Sequence, residues 1–278
     1  MRGIKKNSKL FRKILLKALS QKSDFKKINL LKQACNLAAY NSADIFSSWD
    51  VEKALIDIAR KYGAKLDEQY KKNSFLHVLT TSYSYGGHTR VCERWISYSD
   101  KDQVHSVVFI DQGTHEIPNN LKRYTREKNG ELFLLDGNEI EKAIKLRAIA
   151  SGFDKIILHV HMSDIVPIIA FGNHEFKRPI IFFNHADHVF WLGVSIADIV
   201  VNLRTLAEKI EINIYKGYNE GIINDTEMVR IITLMFDLLG LTSISEYAKR
   251  VGKTYRGISK FCKKIVKINQ FKFVIDNL

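Results

Sequence analysis

The sequence predicts an α/β fold on a parallel sheet, with a helical region before it and a small helical appendix after it. Short continuous apolar runs of strand length recur between residues 75 and 203, and helical periodicity fills the gaps between them. The first run leads into a Gly-Gly loop and then a helix, the opening unit of a doubly wound sheet. Continuous apolar strands suit a parallel sheet covered on both faces.

From Ser8 to about Gln69 apolar residues fall at helical spacing, as in Leu30, Leu31, Ala34 and Ala38, then Val51, Ala54, Leu55 and Ile58, which predicts about three helices. Strands are expected at Phe75 to Leu79, Val104 to Ile110, Leu132 to Leu135, Lys155 to Val160, Pro179 to Asn184 and Ile199 to Leu203. Helices are expected at Val91 to Tyr98, Glu139 to Ala150 and Ile165 to Phe171. All nine histidines and all three prolines lie at or before His188, and the rest is an Ile- and Lys-rich helical tail. The expected organisation is a basic helical region over 1–72, the sheet domain over 73–206, a junction over 207–224 and a helical segment over 225–278.

The formal net charge is +13 over 278 residues, which favours polyanionic partners. The charge sits at the two ends: Met1 to Lys32 holds the single acid Asp24, and Thr242 to Lys272 holds the single acid Glu246. Near the N-terminus Leu10, Phe11, Ile14, Leu15, Ala18 and Leu19 fall on one side of a helix and lysines on the other. Such a helix either lies on an anionic membrane surface or packs on its own domain, and packing is expected. No run approaches the roughly 20 apolar residues that span a bilayer, and the N-terminus lacks the pattern of a secretory signal, so a cytoplasmic protein, at most peripheral to the inner membrane, is expected. Cys35, Cys92 and Cys262 are widely spaced and form no CxxC pair, which predicts reduced thiols.

Chemistry concentrates at three strand ends. Thr80 through Arg90 sits where a strand feeds a helix N-terminus; Gly86 and Gly87 either let backbone N–H groups approach a phosphate or serve as a tight turn, and Arg90 can add a charge-assisted contact. His159, His161 and Asp164 follow another strand, and Asn184, His185, Asp187 and His188 close the next. Carboxyl ends of strands are where open α/β sheets bind ligands, so these residues are expected to converge on the Gly-Gly loop. His159, His161, His185, Asp187 and His188 are competent zinc ligands, but no HExxH-like helix accompanies them, and neither a metal nor another cofactor is expected. The remaining choices are structural histidines bonded to backbone, or a histidine acting as acid, base or substrate anchor.

His77 to Thr80, Gly86 to Arg90, Glu93 to Ile96, Asp154 to His161 and Asn184 to Gly193 together resemble the Rossmann-like N-terminal domain of bacterial GT-B glycosyltransferases of the family 4 type, over about residues 75 to 204. The resemblance implies a domain that holds a glycan or lipid-linked acceptor, with Gly86, Gly87, His88, Arg90, His159, His161 and Asp164 binding substrate. It implies a nucleotide-sugar diphosphate near the Gly86–Gly87 loop, and His185 as the catalytic histidine, supported by Asp187 and His188. Such enzymes carry a second Rossmann domain for most of the nucleotide-sugar, and nothing after Arg204 resembles one. The expectation is thus a glycosyltransferase-like half, truncated and inactive by itself unless the donor site is supplied elsewhere.

Ser243-Ile244-Ser245-Glu246 fits a helix capping box, and Gly252 separates that helix from a second one through Ile258 and Phe261. The segment resembles small bacterial helix-turn-helix modules beginning Ser-x-x-Glu-Tyr-Ala. That resemblance implies DNA contacts from Lys253, Thr254, Tyr255, Arg256 and Lys260, and the alternative function is a DNA-binding protein with a ligand-sensing or scaffolding α/β domain. A basic helical hairpin with a solvated face is the plain reading of the same residues.

Overall fold

The computed structural model describes residues 2–41, 43, 45–67, 69–185 and 189–202. Residues 1–197 form one compact unit and 198–278 a second, of which 198–202 are described and contain strand β6 (Ile199–Asn202). The junction over 207–224, the helix-turn-helix segment, and the candidates Asp187 and His188 lie outside the described residues.

The first unit opens with three helices, α1 (Arg2–Leu19), α2 (Asp24–Tyr40) and α3 (Trp49–Ala59). α2 and α3 begin at Ser23 and Ser48, whose hydroxyls accept from the backbone N–H of Lys26 and Val51 and satisfy donors that a helix start leaves open. α1 packs on α2. Its apolar stripe buries Phe11, Leu15 and Ala18, and Phe11 meets Phe190 at 6.0 Å between ring centroids. This is the packing expected of the amphipathic N-terminal helix, and its lysines remain outward.

Alternating strands and helices follow: β1 (Lys71–Leu79), α4 (Gly87–Tyr98), β2 (Val104–Phe109), α5 (Asn119–Glu127), β3 (Leu132–Leu134), α6 (Glu139–Ser151), β4 (Phe153–His159), α7 (Val166–Phe171) and β5 (Ile180–Asn184). The strands of this unit lie in the order β3-β2-β1-β4-β5, and every pair is parallel. This is a Rossmann-like α/β arrangement, with the order reversing between β1 and β4. Leu76, Val78, Val107, Phe109, Ile156, Leu158 and Ile181 are fully buried, as strands covered on both faces require. Helix α5 is not among the helices that the sequence pattern singles out. Its single buried apolar residue is Leu121, beside the buried Thr125, so the segment carries little periodicity to recognise.

A buried arginine joins the helical region to the sheet. Arg147 on α6 is 0% exposed and its guanidinium donates to the carbonyls of Ala59, Tyr62, Ile169 and Ala170. These carbonyls belong to the ends of α3 and α7 and the turn after α3, where unpaired acceptors and the helix dipole both favour a cation. Arg147→Met keeps the bulk but leaves four acceptors without this donor; a loss of about 2–4 kcal/mol in urea unfolding is expected, and Arg147→Lys recovers only part of it because an ammonium cannot span four carbonyls.

Candidate functional site

The site is built at the carboxyl ends of β1, β4 and β5. After β1 the chain runs through Thr80 to Tyr85 and enters α4 at Gly86 with φ +149, a conformation that side-chain-bearing residues rarely adopt. No side chain caps α4, and space is open within 4 Å of where a Cβ on Gly87 would lie. Ser84, Tyr85, Gly86, Gly87 and Arg90 are all exposed. The loop is held from below: Thr81 Oγ1 donates to the Asp111 carbonyl (2.6 Å), Gln112 bonds the backbone of Ser82 from both ends of its amide, and Tyr83 N–H donates to Thr89 Oγ1 (3.1 Å).

Four aromatic rings gather beside the loop. His88 Nε2 lies 3.0 Å from the Thr81 carbonyl, which only accepts, so that nitrogen carries a proton and Nδ1 is the nitrogen toward the Gly86 turn. His185 stacks on His88 (centroids 5.4 Å apart, 22° between planes), and Tyr83 stacks on His161 (6.2 Å, 3°). Burial, and after it the neighbouring His88, holds His161 below the usual imidazole range.

Asp164 fixes the turn after β4. Its carboxylate accepts from Thr80 Oγ1 (2.6 Å) and Val166 N–H (3.0 Å), while Thr80 Oγ1 accepts from His161 N–H. Burial raises the Asp164 carboxyl, opposed by the Thr80 and Val166 hydrogen bonds and then by Lys32 and Lys142. A cleft of about 220 Å³ opens there, lined by Thr80, His161 and Asp164 and walled by the pairs Lys32–Glu139 (2.7 Å) and Lys142–Asp111 (3.5 Å). A second, polar groove of about 520 Å³ runs along the outer side of α4 past Ser84, Arg90, Arg94 and Tyr98.

The structure brings Gly86, Gly87, His88, His161, Asp164 and His185 to this end of the sheet. Arg90 projects into the α4 groove, and His159 lies in the core at 0% exposure. Beneath the site, His159 Nε2 is 3.0 Å from His77 Nδ1, and His77 Nε2 is 2.9 Å from His105 Nδ1. This buried row crosses three neighbouring strands diagonally, because Phe75 aligns with His105 and Leu79 with His159. Neither His77 nor His105 stands out in the sequence, the one lying inside an apolar run and the other beside Ser106 at the start of one; only strand register reveals the row. Among the described residues, the set of three metal-competent groups whose ligand atoms all approach one another is His77, Cys92 and His159.

The N-terminal helices supply the far wall. Glu52 on α3 is 1% exposed, and its carboxylate accepts from the N–H groups of Gly193 (2.9 Å) and Ser195 (2.8 Å). Trp191 N–H donates to the Phe46 carbonyl, and Leu192 N–H to that of Met162. Gly193 has φ +120, and a Cβ there would lie 2.9 Å from the Phe182 ring. The segment that follows the His185 loop is thus clamped on both sides. No family model matches the chain, and no curated protein is significantly similar to it.

Two predictions follow from this geometry. Gly86→Ala forces a side chain into the φ +149 conformation and is expected to cost about 1 kcal/mol or more, whereas Gly87→Ala leaves stability unchanged in thermal unfolding. Burial, the first cause in each case, lowers His77 well below its usual value, His105 to about 4 and His159 to about 3. The unfolded chain then binds protons that the folded chain refuses, so stability is full above about pH 6.5 and falls as pH drops toward 4, by about 1.4 kcal/mol per pH unit for each histidine. Urea midpoints measured from pH 7.5 to 4.5 test this, and His105→Gln should flatten the slope by about one proton.

Proposed function

We propose that this chain is the acceptor-side half of a glycosyltransferase-like protein, binding the diphosphate of a nucleotide-sugar at the Gly86–Gly87 loop and an acceptor hydroxyl beside His88 and His185. The observation that carries this reading is an exposed, uncapped helix start with open space at Gly87, bordered by a histidine whose Nδ1 faces the same turn. Backbone N–H groups at a helix start attract a phosphate. Arg90, one turn along, faces the adjoining α4 groove and adds positive potential near that anion without a direct contact.

The two histidines stand where an acceptor proton would be taken up, and the 220 Å³ cleft with His161 and Asp164 has the polarity of a sugar-hydroxyl site. The further reading of Asp187 and His188 as partners of His185 belongs to the same proposal. So does sugar transfer itself, with the remainder of the donor contacts coming from outside residues 75–204.

Calorimetric titration with uridine and guanosine diphosphate-sugars tests the reading. Saturable binding is expected, reduced more than tenfold (about 1.4 kcal/mol) by Gly87→Val and much less by His185→Ala, whose ring meets the acceptor rather than the diphosphate. Absence of nucleotide binding by a chain that is folded by circular dichroism overturns it.

A further inference from the structure

Two imidazoles and a thiol converge in the core directly beneath the loop. His77 on β1, His159 at the end of β4 and Cys92 on the inner face of α4 are each 0% exposed, and one ring nitrogen of each histidine and Cys92 Sγ all lie within 4.8 Å of one another. Around them are apolar groups: Trp95 and Phe183 contact the His159 ring, and Leu79, Ile96 and Val107 surround Cys92. His159 Nδ1 has no hydrogen-bond partner among the described residues.

The hydrogen-bond row sets which nitrogen of His77 carries a lone pair, the one toward His159. Gln103 Oε1 accepts from His105 Nε2, so His105 Nδ1 is bare and accepts from His77 Nε2–H, which leaves His77 Nδ1 without a proton. A ligating histidine whose other N–H is held by a second polar group is the usual arrangement around protein-bound metals. Nitrogens bound to one ion at about 2.0 Å stand only a few tenths of an ångström farther apart than the 3.0 Å between His77 Nδ1 and His159 Nε2.

We infer that His77, Cys92 and His159 form a buried binding site for one thiophilic transition-metal ion, tying α4 to β1 and β4 under the Gly86–Gly87 loop. Two neutral imidazoles and one thiolate bring a single negative charge into an apolar core. Monovalent copper makes that site neutral and accepts three ligands, while zinc retains a positive charge and calls for a fourth ligand. On binding, the Cys92 thiol releases its proton to solvent, the proton that His159 Nε2 donates to His77 Nδ1 moves to His159 Nδ1 so that both rings stay neutral and each offers a lone pair, and the sulfur lone pair goes to the ion; nothing is oxidised or reduced.

The test uses the full chain, stripped with chelator and dialysed against Zn²⁺, Co²⁺ or, without oxygen, Cu⁺. Retention of one equivalent of at least one of these ions is expected, with a thiolate-to-metal absorption in the near ultraviolet for Co²⁺ and a rise of several degrees in the unfolding midpoint. Cys92→Ala and His77→Phe should abolish retention, His105→Gln should weaken it about 10–100-fold, and a Cys35→Ala, Cys262→Ala double variant should keep it. If the Cys92 and His77 variants fail to fold, the double variant decides, because its one remaining thiol is Cys92. Failure of the wild-type chain to retain any of the three ions overturns the inference, as does retention unchanged in a folded Cys92→Ala chain.

Discussion

The Arg147 guanidinium is the contact on which the rest of the first unit depends. A charge at 0% exposure is tolerated only because carbonyl oxygens replace its water, and those carbonyls come from segments far apart in sequence. Burial lowers the guanidinium from its usual value, but an arginine stays charged under all ordinary conditions. By capping α3 and α7 together from α6, it sets the position of α3 against the sheet. Glu52, one turn into α3, is thereby placed to hold Gly193 and Ser195.

The site inherits its geometry through that chain of contacts. The segment after the His185 loop is held by Glu52, by the Phe46 carbonyl and by Phe11 against Phe190, all from the helical region. The other half of the site hangs from the sheet, through Gln112 under Ser82 and Thr80 between His161 and Asp164. An α/β core and a helical preface, separable in the sequence, therefore shape one end of the sheet together.

What could be read from the sequence follows what local pattern encodes. Strands buried on both faces announce themselves as apolar runs, and β1, β2, β4 and β5 fall where those runs lie. Helix α5 escapes because a stretch reading Asn119-Asn120-Leu121-Lys122-Arg123-Tyr124 offers almost no apolar stripe. Gly86, His88, His161 and His185 were visible because strand ends are marked by polar residues after an apolar run. Arg147 and Glu52 were not, since a charged residue on a helix reads as solvent-facing until its partners are known. The His77 row needs register, which depends on pairing between strands 28 and 82 residues apart. Asp187, His188 and the basic C-terminal segment fall outside the described residues.

The packing of α1 decides how this chain meets anything negatively charged. With Phe11, Leu15 and Ala18 already covered, the outward side of the helix presents Lys5, Lys6, Lys9, Arg12, Lys13 and Lys17 around the exposed Leu16. Adhesion through such a face is long-ranged but shallow, reaching about 8 Å at physiological ionic strength and fading as salt is added. The outward side of α1 is in that respect a screened charge and not an apolar anchor, since its apolar stripe is spent inside the fold.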